Sequence, residues 1–104
     1  MTDNSSLVCL LTGQELVERK EVLQKEIFSQ VKKVEEIETG YIFYFKYDEM
    51  FLMKMTDYVI AENNCCPFLT FETMFHSKDD VVLKIIGSSM QAKEMIKMIL
   101  IDKK

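Results

Sequence analysis

The 104-residue chain has no tryptophan, one histidine, one proline and three glycines. So little proline and glycine leaves no linker, low-complexity tract or collagen-like repeat, and a single domain with one core is expected over residues 1–104. No run approaches the roughly 18 to 20 apolar residues of a membrane span, and Met1 to Ser6 is polar without a basic region leading into an apolar one, so neither a membrane nor a secretory signal is expected. Positive charge is also short: a net charge of −4 and a pI near 5.0 argue against a nucleic-acid partner, which needs a basic face to displace counterions from phosphates. The pairs Lys32/Lys33 and Lys103/Lys104 read as a solvated face and a tail. Gly-rich phosphate loops, metal-hydrolase motifs and paired-carboxylate sites are missing. Cysteine is scarce and odd in number, three in all. With no export signal the expected compartment is the cytoplasm, where thiols stay reduced and a disulfide framework does not form.

What remains is an ordinary globular composition, 48% hydrophobic and 29% charged. Leu7 to Leu11 is a continuous apolar run of the kind buried on both faces of a sheet, and Thr12-Gly13-Gln14-Glu15 has the form of a capping box. Leu16, Leu23, Ile27, Val31 and Val34 then recur near helical spacing, which predicts a first helix over 13–33. Aromatic and β-branched residues from Tyr41 to Tyr47 predict a strand. Asp48 can cap a second helix, 49–63, whose stripe is Phe51, Leu52, Met55, Tyr58, Val59 and Glu62. Strands over 68–75 and 81–86 flank the polar turn His76 to Asp80, and Ser88 with Gln91 repeats the capping-box spacing ahead of a last helix, 88–101. The expected fold is α/β, a four-stranded mixed sheet in the order βαβ-α-ββα.

That succession resembles the thioredoxin-like fold. Pro67 stands just ahead of a strand, where that family carries a cis proline, and Pro67-Phe68-Leu69-Thr70-Phe71 looks like its proline-led strand followed by a hairpin, Gly87 and a terminal helix. The resemblance implies a βαβ crossover through the first helix. It departs where thioredoxin-like oxidoreductases carry Cys-x-x-Cys: here the residues are Thr12-Gly13-Gln14-Glu15, so the attacking thiolate at the helix N-terminus is absent. A ferredoxin-like α+β two-layer sandwich is the alternative. Locally, Cys66-Pro67-Phe68-Leu69 resembles the cysteine-proline segment that supplies a thiolate ligand in mercury-sensing regulators, and Cys65-Cys66-Pro67-Phe68 is similar to a motif of small bacterial proteins whose family name implies no activity.

Chemistry concentrates in the cysteines. Adjacent Cys65 and Cys66 are poorly placed to bond to each other but can chelate a soft ion just past a helix end, and the thioredoxin-like topology would bring Cys9 beside them. Three thiolates from two elements suit mercury, copper(I) or zinc. Against this stand the plainer readings, Cys9 as a small buried hydrophobe and the pair as a helix-terminal turn. Glu62, four residues before Cys66, is ordinarily a solvated helix glutamate; over the same helix end it would oppose a free thiolate and favour a bound cation. His76 lies ten residues beyond Cys66 along a strand, on the order of 25 to 30 Å away, and reads as an exposed turn residue, not a ligand or base. The eight methionines read as core filling.

The expected function is therefore a cytoplasmic thiol-based binding protein for a soft metal ion, in detoxification or sensing, through Cys65, Cys66 and Cys9. The alternatives are a thiol-redox enzyme or sensor using Cys66 beside Pro67, and an interaction module with inert cysteines. A homodimer is expected from Met98, Leu100 and Ile101, which exceed the last helix's core stripe.

Overall fold

The computed structural model describes residues 14–101. Its elements run α1 (Gln14–Phe28), β1 (Lys33–Ile37), β2 (Gly40–Lys46), α2 (Glu49–Cys65), β3 (Leu69–Ser77), β4 (Asp80–Gly87) and α3 (Met90–Ile96), with a π-helical turn, Lys97–Ile101, continuing α3. The α/β class, the four-stranded sheet and the three helices stand as expected. Among the described residues the sheet is not mixed: its order is β1-β2-β4-β3 and every pair is antiparallel.

The difference begins at the end of α1. Backbone bonds from Ser29 to Lys25 and from Gln30 to Ile27 close the helix, and Val31 and Val34, which share the helical spacing, lie beyond it. Val34 instead faces the core from β1, opposite Phe43. The turn Glu38–Thr39 joins β1 to β2, so β2 is entered from a hairpin and not from a βαβ crossover. Both edges of β2 are thereby occupied, by β1 and β4. The parallel pair that the thioredoxin-like pattern implies is not found among the described residues, and the strand expected over 7–11 lies outside them.

The strand order is the same read outward from the β2–β4 seam in either direction. Two ββα units, β1-β2-α2 and β3-β4-α3, meet back to back along that seam, with α1 leading the first. Phe43 pairs with Leu83, Phe45 with Val81 and Tyr41 with Ile85. These inward side chains form one core with Ile27 and Phe28 of α1, Phe51, Met55 and Tyr58 of α2, and Ile96 and Leu100 of the last helix, so the helices share one sheet face. Phe28 packs edge-on against Phe43, Phe45 and Tyr58 at centroid distances of 5.0, 5.9 and 5.7 Å. Such pairs contribute about 0.5–1.5 kcal/mol each beyond burial.

One close approach fixes the β2–β4 pair and one set of contacts ties α3 to the sheet. Gly40 is required because a Cβ there would fall on the backbone carbonyl oxygen of Ile85. Lys93 of α3 reaches back to the first unit, its amine 2.7 Å from the Glu36 carboxylate, 3.2 Å from the Glu38 carbonyl and over the Tyr41 ring. The Glu36 carboxylate is held below its usual range, mainly by the hydrogen bond from Lys93, and the Lys93 ammonium above its own by the same bond. No helix among the described residues is long and apolar enough to cross a membrane.

Candidate functional site

Helix α2 begins as its sequence requires. The Asp48 carboxylate accepts from the Phe51 N–H at 2.9 Å, satisfying one of the free donors of the first turn. It ends at Cys66, whose N–H still donates to the Glu62 carbonyl while its φ and ψ, −123° and 80°, leave the helical region, as a following proline demands. Pro67 then occupies the second position of a β-turn closed by a bond from the Leu69 N–H to the Cys66 carbonyl, 3.1 Å. The strand starts at Leu69, so Pro67 leads a turn and not the strand itself.

This ending places Tyr58, Glu62 and Cys66, one helical turn apart in succession, on the inward face of α2. Glu62 is only 6% exposed. A buried carboxylate needs partners, and here the Tyr58 hydroxyl donates to its Oε2 at 2.7 Å and the Cys66 thiol to its Oε1 at 3.1 Å. The Gln24 amide oxygen stands 3.5 Å from the same hydroxyl. The Tyr58 phenol is pushed well above its ordinary value, first by burial, then by the charge of Glu62 and its hydrogen bond. It therefore stays a proton donor through the neutral range.

These four polar groups line one end of a cavity of about 170 Å³. The rest of the wall is apolar: Leu69 and Phe71 from β3, Ile85 from β4, and Ala92, Met95, Ile96, Ile99 and Leu100 from the last helix and its π turn. In the π turn Leu100 packs into the core and Ile99 lines the cavity wall, continuing the stripe of Ala92, Met95 and Ile96.

Of the expected metal ligands, Cys66 is buried and belongs to this cluster, Cys9 lies outside the described residues, and so does the side chain of Cys65. Among the described residues no group of three or more His, Cys, Asp or Glu is placed to hold a metal ion. His76 is exposed, as expected, but it belongs to β3 and not to a turn; its ring packs edge-on against Tyr44, 5.6 Å away. Sequence reasoning missed the Tyr58 hydroxyl, the burial of Glu62 and the cavity. The Tyr-x-x-x-Glu-x-x-x-Cys spacing was the available signal. Comparisons with family models, curated proteins and solved structures return no match.

Proposed function

We propose that the chain is a thiol-based binding protein for a soft metal ion, captured at the C-terminal end of α2 by Cys66 and Cys65 with Cys9 as third sulfur. The observation that supports this reading is the 3.1 Å contact between the Cys66 thiol and the Glu62 carboxylate, both groups buried at the polar end of a cavity. A thiol must lose its proton before it binds a metal. Glu62 is placed to receive that proton: the S–H bond breaks, a sulfur–metal bond forms, and the carboxylate becomes a neutral acid still held by Tyr58. The charge that would oppose a bare thiolate is removed in the same step. Soft sulfur donors select mercury, copper(I) or zinc from the available ions. A reducing compartment, the cytoplasm, keeps such a site loaded with thiols.

Titration of the reduced protein with each ion against a competing chelator tests the reading. One equivalent should bind with a sulfur-to-metal absorption band, and Cys66→Ser should abolish both. Binding no tighter than to a free thiol peptide would exclude the proposal. The same thiol–carboxylate contact could serve redox chemistry; faster alkylation of Cys66 at neutral pH than of a free-thiol peptide, without metal binding, would favour that reading instead.

A further inference from the structure

We propose that β3 is the seam of a two-fold homodimer, pairing antiparallel with β3 of a second copy about Thr73. The strand is nine residues long and hydrogen-bonds only to β4, so one row of its backbone groups has no partner strand among the described residues. Such an edge is a template for another chain. The opposite edge is blocked: of the five residues of β1, Lys33, Glu35 and Glu36 are charged and exposed. Between Leu69 and Phe75 the one charged residue is Glu72, and Lys84 of β4 already stands 3.6 Å from its carboxylate.

The apolar layer also runs off this edge. Phe71, Thr73 and Phe75 share the helix-covered face with their partners Ile85, Leu83 and Val81, which are fully buried. Yet Phe75 is 67% exposed, and the ring it meets, that of Tyr47 at 5.7 Å, is itself 38% exposed.

A second copy fits because the strand is self-complementary about Thr73. A two-fold axis at Thr73 sets Phe71 opposite Phe75 of the second copy and Glu72 opposite its Met74. An axis at Glu72 would oppose two carboxylates, and one at Met74 would run the pairing into the β-bulge between Phe75 and Ser77. Pairing over 71–75 stops short of the bulge. Phe71 lines the cavity, so Phe75 of the second copy would come to rest beside the cavity wall. The dimer face expected on the last helix carries less: Leu100 is buried in the core and Ile101 packs against it, leaving Met98 exposed. The dimer stands independently of the thiol chemistry.

Sedimentation of the full chain from about 5 to 200 μM, a range that brackets modest interfaces, reads the proposal directly. A dimer is expected, with hydrogen exchange at amides 71–75 slowing as concentration rises. Thr73→Lys and Phe75→Asp should each weaken association at least tenfold with far-UV circular dichroism unchanged, and Met98→Asp should leave it intact. A monomer throughout, a dimer indifferent to both β3 variants, or one abolished by Met98→Asp would overturn it. If the β3 variants fail to fold, concentration-independent exchange at 71–75 in the unaltered chain overturns it as well.

Discussion

Tyr58 and Cys66, two helical turns apart, donate to opposite oxygens of one carboxylate, that of Glu62. The carboxylate is thus clamped from both ends of the helical stripe, and its burial is compensated by the two donors that flank it in sequence.

Removing one clamp should be costly. Tyr58→Phe leaves the ring's packing in place but deprives buried Glu62 of a donor, and should lower stability by about 1–3 kcal/mol in urea unfolding at pH 7. The same substitution changes the alkaline limb. The Tyr58 phenol is raised in the folded protein, so its contribution is complete below the ordinary value of 10.0 and disappears as pH climbs through the raised one. Tyr58→Phe should lose less stability than the parent between pH 9 and the alkaline transition, by roughly the amount of that contribution.

The bridge from Lys93 to Glu36 titrates at both ends. Glu36 is lowered on folding, so its share of stability is present above the ordinary 4.5 and fades as pH falls through the lowered value. Lys93 is raised, so its share is present below 10.5 and fades as pH rises past it. Glu36→Gln should flatten the acid limb of a stability–pH curve while leaving the Tyr58-dependent alkaline limb in place. An unchanged acid slope would show that the bridge does not form in solution.

Glycine at position 40 should be indispensable. In Gly40→Ala the new Cβ meets the Ile85 carbonyl, and the β2–β4 pair must part to admit it. At Gly87 the nearest atoms are the Ala92 Cβ and the Lys93 backbone nitrogen, each 2.8 Å away, a milder overlap than the 2.0 Å approach at Gly40. Overpacking of this kind costs about 1–3 kcal/mol or more, and urea midpoints should place Gly40→Ala below Gly87→Ala.

Helix capping separates two adjacent serines. Ser89 accepts from the Ala92 N–H at 3.1 Å and is the N-cap of α3, whereas the capping-box spacing points to Ser88. Ser89→Ala should cost about 1 kcal/mol, as should Asp48→Ala, and Ser88→Ala less than half of that by thermal unfolding.

That one-residue slip shows what the sequence conveys and what it does not. Asp48 was legible because a carboxylate before an apolar stripe has one common role, and the β3–β4 hairpin because β-branched runs flank a polar turn. β1 was hidden: Lys33-Val-Glu-Glu-Ile is too charged to read as a strand, and Val34 continues the spacing of Ile27 and Val31 by coincidence of period. Its identity is set by pairing with β2, a long-range choice that local pattern does not encode. At the site, Cys66 and its distance from Glu62 were visible, but glutamate is so seldom buried that only the packing of Tyr58 and the last helix reveals it inside.

The back-to-back arrangement of two ββα units bears on how the chain acquires its shape. Each hairpin joins neighbours in sequence and closes over a two-residue turn, Glu38–Thr39 or Lys78–Asp79, at little entropic expense. Gly40 with Ile86 and Phe45 with Val81, by contrast, join partners dozens of residues apart, and these pairings alone convert two halves into one sheet. Chain closure across the seam is therefore the slow event expected of the folding reaction. Leu83→Ala should retard refolding, while Val34→Ala at the outer hairpin should chiefly hasten unfolding, a division that stopped-flow chevrons of the two variants would resolve.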